Sequence, residues 1–166
     1  VSEFFPRKFS PDLDKKLRSV LSEKAHVSAA VIFRGQGESA QLLSCRRTEP
    51  EHLKGGWEFA GGRVDSHEDE TPLEAVHREI LEELTVEIEV LHYLPGPNED
   101  GTWNLTESKV LHAHISVIKA NQEIELKPQH DAFEWLDLDE AETAVKWLEP
   151  DIPILRAAIT WIKANS

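Results

Sequence analysis

Cysteine, methionine and basic residues are the scarce components of this chain. Among its 166 residues there is one cysteine, Cys45, and no methionine. A lone cysteine excludes an intramolecular disulfide framework and points to a reducing compartment. The chain begins at Val1, which reads as a processed or trimmed start and is compatible with a lost targeting segment. No run of about 18 apolar residues occurs, so neither a transmembrane helix nor a membrane partner is expected. Lys and Arg total 18 against 31 Asp and Glu, a formal charge of −13. That balance argues against a general nucleic-acid-binding surface. It leaves room for a small anionic substrate or a capped RNA end, because a bound metal and a few Arg or Lys can reverse the field locally. The expectation is a cytoplasmic protein, with its oligomeric state open.

The length suits one domain with a substantial core. Ser10-Pro11 opens a short helix to about Glu23. Val27–Arg34 and Ala40–Cys45 read as strands joined by a Gly35-Gln36-Gly37 turn. Trp57–Val64 reads as a short strand running into a Gly-Gly turn. A helix follows over Pro72–Leu84, then a strand of alternating polarity over Val86–Leu94. Pro95–Asn104 is turn-rich. Lys109–Ile118 and Ala132–Leu136 are further strands. Asp137 and Glu140 form a capping box for a helix to about Trp147, and Ile152–Lys163 is a last amphipathic helix. The pattern is α/β, a mixed sheet sandwiched between helices. Residues 1–26 form an N-terminal extension and residues 27–166 the domain.

The richest stretch is Gly61–Val86. An α-helix turns about 100° per residue, so Glu79, Glu82 and Glu83 share one arc of roughly 100°. Leu73, Val76, Ile80 and Leu84 fall on an adjacent arc that would seat the helix on a core. Thr71-Pro72-Leu73-Glu74 is a capping box with proline at the first helical position. Three clustered carboxylates repel one another, and hard divalent cations such as Mg²⁺ take oxygen ligands of this kind. A solvated acidic helix face is the plainer alternative. Glycines just before the helix allow backbone to approach a ligand or metal closely.

These residues resemble the Nudix hydrolase signature: a glycine, a loop glutamate, then Arg78-Glu79-Ile80-Leu81-Glu82-Glu83. The lead-in Trp57-Glu58-Phe59-Ala60-Gly61-Gly62 is similar to MutT-like members. The resemblance covers roughly Val27–Lys163. It departs from the family in two places. The loop from Gly62 to Glu70 is two residues longer than the family spacing. Counted from the helix, Glu70 takes the place of the loop glutamate. Glu68 fits from the glycine side, but Arg78 is then out of register. Thr85 stands where glycine normally makes a left-handed C-cap, so a different helix end is expected.

The resemblance implies a phosphoanhydride hydrolase using Mg²⁺ or Mn²⁺. Glu79, Glu82, Glu83 and the Gly61 carbonyl would be the metal ligands, and Arg78 would pair with Glu70. A later-loop glutamate of MutT-like members is replaced by Gln129, which cannot act as a base. His130, Asp131 or a helix glutamate could, with Glu82 favoured. Arg46, Arg47 and Arg63 are candidates for substrate phosphates. Asp151 is a candidate for base recognition, or else an N-cap. Phe59 or Trp103 could stack on a base.

Three functions are compatible with this reading. The first is a nucleoside triphosphate pyrophosphohydrolase releasing a monophosphate and pyrophosphate. The second is a dinucleoside polyphosphate or mRNA-cap hydrolase, implied by the resemblance of Gln129–Leu136 to the late strand of diadenosine tetraphosphate hydrolases. The third is a Nudix-fold binding or regulatory module without turnover, against which the retained carboxylates argue.

Overall fold

The computed structural model describes residues 24–166. The expected helix over 10–23 lies outside them. Strand β1 (Ala25–Arg34) is buried without a break from Ser28 to Phe33. A strand covered on both faces has this character. It pairs in parallel with β7 (Lys109–Ile118) and antiparallel with β2 (Gln41–Arg47). Around this axis lie β3 (Trp57–Glu58), β4 (Gly61–Arg63), β5 (Ile88–Leu94), β6 (Trp103–Thr106) and β8 (His130–Asp137). The sheet has eight strands in the order β3-β2-β1-β7-β5, with β4 on β1, β6 on β7 and β8 on β2.

Successive side chains of a strand point to opposite faces, and β1 feeds two cores in this way. Ala29, Val31 and Phe33 pack with Ile154, Leu155 and Ile162 of helix α3 (Asp151–Asn165). Ala30 and Ile32 pack with Val76, Ile80 and Leu84 of helix α1 (Pro72–Leu84). The result is the expected α/β sandwich. No described helix is long and apolar enough to cross a membrane.

Helix α1 opens on the expected capping box, with Thr71 and Glu74 satisfying each other's amides and Pro72 at its start. Two expectations for it are corrected. Leu73 is 48 % exposed, and Ala75 joins Val76, Ile80 and Leu84 on the buried face. The helix does end in a left-handed cap, with Thr85 at φ 61° and ψ 29°. That conformation costs an L-residue about 1–2 kcal/mol. It is held because the chain from Glu125 to Lys127 docks on the helix end. The Glu125 amide donates to the Leu84 carbonyl at 3.0 Å and the Thr85 hydroxyl donates to the Glu125 carbonyl at 3.0 Å.

Other boundaries also move. Gly61 and Gly62 lie in strand β4, opposite Ala29 and Ser28 of β1, and not in a turn. Trp103 and Asn104 leave the expected loop to join β6. The Asp137–Glu140 capping box does not form. Helix α2 is only Ala141–Ala144, its cap residue Glu140 makes no side-chain bond, and the chain turns extended at Val145. Helix α3 starts at Asp151 with Pro150 as its cap residue, so Asp151 is not the N-cap.

Candidate functional site

Strand β4 lies between β1 and helix α1, and its glycines set how close they come. A Cβ at Gly61 would overlap the Ser28 carbonyl and Ala29; one at Gly62 would overlap the Glu79 carboxyl. The missing side chains therefore let the helix carboxylates reach the strand backbone. The Gly61 amide donates to Glu83 Oε2 at 3.2 Å.

Arg78 organises the helix face. It donates to both oxygens of Glu70, Nε at 2.7 Å and Nη2 at 2.8 Å. Nη2 also donates to the Arg63 carbonyl at 3.0 Å. Nη1 donates to Glu79 Oε1 at 2.8 Å and to Glu82 Oε2 at 3.2 Å. Bidentate, charge-assisted pairs of this kind fix geometry as well as adding energy. The Arg78 bonds, and then the Asp65 amide, hold Glu70 down at about 2. Glu68 sits exposed in a one-turn 3-10 helix, Ser66–Glu68, which absorbs the longer loop. The loop glutamate that meets Arg78 is Glu70.

The three helix carboxylates occupy different environments. Glu82 is exposed, Glu79 half-buried and Glu83 buried. Burial raises Glu79, opposed by Arg78. Burial and then the charges of Glu79 and Glu58 push Glu83 up to about 8. Buried like charges call for a cation, and an all-oxygen donor set suits Mg²⁺ or Mn²⁺. The residues fit such an ion in chemistry. Among the described residues, however, no three His, Cys, Asp or Glu converge on one point. Glu79 and Glu82 are instead turned onto Arg78.

A cavity of about 610 Å³ opens beside Gly61, Gly62 and Glu83 and runs to Asp151 at the start of α3. Its walls include Phe59, Leu105 and Leu111, with Arg47, Arg63 and Lys109 among its polar groups. Asp151 is 4 % exposed. Burial, then the nearby Glu58 charge, raises its carboxyl well above the usual range, while the Phe59 amide donates to it. The shift favours the protonated form, which offers both an O–H donor and a carbonyl acceptor.

The cavity gathers Phe59, Gly61, Arg47, Arg63, Glu83 and Asp151 from the expected set, and Gln129 as well. Phe59 is also part of the core, with its ring 4.9 Å from that of Trp147. Arg46 does not line it. Its guanidinium donates to Asp131 at 2.7 Å and lies over Trp57. Asp131 is thereby turned away too, and is no candidate base. Trp103 packs on the core with its ring N–H on the Leu94 carbonyl, which takes it out of the stacking role. Sequence reasoning missed Glu58. Its carboxylate takes Arg47 Nη1 at 3.0 Å on one oxygen and His130 Nε2 at 2.9 Å on the other. The available signal was a charged residue between two buried aromatics directly before the glycines.

A family model described as the NUDIX domain matches residues 24–158. The RNA pyrophosphohydrolase of Helicobacter pylori strain G27 is 54 % identical over 73 residues, which are 43 % of this chain and 44 % of that protein. The match thus spans less than half the length of that relative. The CTP pyrophosphohydrolase of Escherichia coli K12 is 29 % identical over 131 residues, 79 % of this chain and 88 % of its own length. The solution structure of the E. coli ORF135 protein superposes with a TM-score of 0.66 at 27 % identity, covering 86 % of this chain and 94 % of the other.

Proposed function

This chain belongs to the NUDIX domain family, and we propose that it hydrolyses a phosphoanhydride bond of a nucleoside triphosphate, releasing a monophosphate and pyrophosphate. The observation that carries this reading is the layout of the cavity. Glu83 of α1 and the β4 glycines Gly61 and Gly62 line one cavity together with the buried Asp151. That layout suits a molecule with a phosphate chain at one end and a hydrogen-bonding base at the other. A relative named CTP pyrophosphohydrolase supports it.

Glu79, Glu82 and Glu83, with the Gly61 carbonyl, would hold Mg²⁺ or Mn²⁺. When bound, such ions neutralise phosphate charge and lower the pKa of a coordinated water. Arg78, anchored on Glu70, orients Glu79 and Glu82. Glu82, the most open of the three carboxylates, takes the proton from the attacking water. Arg63 faces the phosphate chain, while Arg47, the other candidate on the cavity wall, is paired with Glu58. Asp151 hydrogen-bonds the base, and Phe59 forms part of the wall against which it lies. In this reading residues 27–166 are the catalytic domain and residues 1–26 an extension.

A second reading has one specific support. The stretch of 54 % identity is to a protein named RNA pyrophosphohydrolase, which favours an RNA 5′ end as substrate. A panel of nucleoside triphosphates, dinucleoside polyphosphates, capped RNA and triphosphorylated RNA, with Mg²⁺ or Mn²⁺, separates the two. Monophosphate and pyrophosphate from a free triphosphate support the first reading. Turnover confined to two-ended substrates or RNA ends supports the second. Silence across the panel would leave a binding module.

A further inference from the structure

We propose that His130, together with Arg47, fixes the Glu58 carboxylate as a hydrogen-bond acceptor at the base end of the cavity, and so selects nucleobases that carry an amino group. This rests on the reading that the cavity receives a nucleoside.

Three strands bring these residues together. Strand β2 pairs with both β3 and β8, with Cys45 opposite Glu58 and Arg47 opposite His130. The β2–β8 register slips by one residue between Arg46 and Arg47. Ala132 faces Arg46, His130 faces Arg47, and Asp131 is the extra residue. Bulges re-aim side chains. Asp131 leaves the cavity for Arg46, and His130 turns to Glu58.

The bonding then assigns roles. Glu58 receives one donor on each oxygen, Arg47 Nη1 at 3.0 Å and His130 Nε2 at 2.9 Å. A carboxylate oxygen has two acceptor sites, so each oxygen keeps one for a ligand. His130 is 4 % exposed, and its Nδ1 has no partner among the described residues. Leaving a buried ring nitrogen unpaired is costly. An apolar side chain would fill this place without that cost. What histidine adds is the donor to Glu58.

Glu58 and Asp151 line the same cavity. With Arg47 and His130 as its donors, Glu58 presents an acceptor beside Asp151, whose buried carboxyl is shifted toward its donating, protonated form. The complementary base edge carries a donor next to an acceptor: the amino group and adjacent ring nitrogen of cytosine or adenine. Uracil has the reverse pattern at the corresponding positions and would set its carbonyl oxygen against Glu58. A site built to bind a donor rejects the analogue that lacks it.

The test compares wild type, His130→Leu and His130→Gln. It reads affinity for CMP and UMP by calorimetry, and KM and kcat for CTP and UTP. Wild type should prefer the cytosine compounds by at least about tenfold, the worth of one hydrogen bond. His130→Leu should bring the preference to near unity through KM and affinity, with kcat kept. His130→Gln, which can still donate to Glu58, should recover part of it. Should His130→Leu not fold, His130→Asn, whose amide falls short of Glu58, takes its place. A wild type without the preference, or a leucine variant that keeps it, overturns the proposal. A wild type that binds none of CMP, UMP, AMP and GMP and hydrolyses none of the corresponding triphosphates overturns the nucleoside reading itself.

Discussion

The Glu79 carboxyl occupies the space that a side chain at Gly62 would need. Strand and helix therefore constrain each other at the point where the proposed chemistry takes place. Gly62→Ala should push Glu79 aside and lower kcat by about 100-fold, since misplacement near 1 Å costs that much. It should leave stability within about 1 kcal/mol, because the obstacle is a side chain that can move. At Gly61 the obstacle is the backbone of Ser28 and Ala29. Gly61→Ala should destabilise by about 1–3 kcal/mol, as overpacking does. Steady-state kinetics beside urea unfolding separate the two variants.

Glu70 and Glu68 compete for one role on sequence grounds, and only Glu70 meets Arg78. Glu70→Ala should cost about 1–2 kcal/mol, a charge-assisted pair discounted for its partly exposed arginine. It should also slow turnover by freeing Arg78. Glu68→Ala should stay within about 0.5 kcal/mol with full activity. The opposite ranking would mean that the loop insertion is placed wrongly.

His114 gives a stability term with a defined sign. The Ser28 hydroxyl donates to the Pro72 carbonyl, so His114 Nε2 is the donor in its 2.9 Å contact with Ser28. Burial, then His112 and His77, lower His114 to about 4. Unfolded, it titrates near 6.5. The unfolded chain therefore binds the proton first as pH falls. The stability this group contributes is complete above about 6.5 and is lost between there and about 4. His114→Gln should lose less stability than wild type between pH 7.5 and 4.5, with a difference on the order of 1 kcal/mol per pH unit inside that window. Equal slopes in urea midpoints would contradict it.

Thr85 holds a left-handed conformation at φ 61° and donates to the Glu125 carbonyl. The strain, about 1–2 kcal/mol, slightly exceeds a hydrogen bond worth about 0.5–1.5 kcal/mol. Thr85→Gly should therefore raise the melting temperature or leave it unchanged. Thr85→Val keeps the strain and loses the bond, and should lower it.

Helix α1 was legible in the sequence from cap to last residue. Its capping box, proline and carboxylate spacing are all local signals. The sandwich followed from alternating strands and helices, and β7 was read with its observed bounds. What escaped depends on distant partners. Leu73 fits the apolar stripe by spacing, but it stands at the rim of an open cavity over β5 and is 48 % exposed. The left-handed Thr85 needs residues forty positions away to hold it. The convergence of Glu58, Arg47 and His130 depends on a bulge at Asp131 that no local pattern announces. Arg46 and Arg47 are equivalent in the sequence, and strand register sends only Arg47 to the cavity.

The central claim is that the α1 carboxylates carry out metal-dependent cleavage of a nucleotide phosphoanhydride. It is tested most directly by identifying the products released from CTP with and without Mg²⁺, for wild type and Glu82→Gln. The wild type should release CMP and pyrophosphate only when Mg²⁺ is present. Glu82→Gln should show a fall of about 1,000-fold or more with unchanged folding. Full turnover in Glu82→Gln, or CTP left intact by the wild type under both conditions, would contradict it.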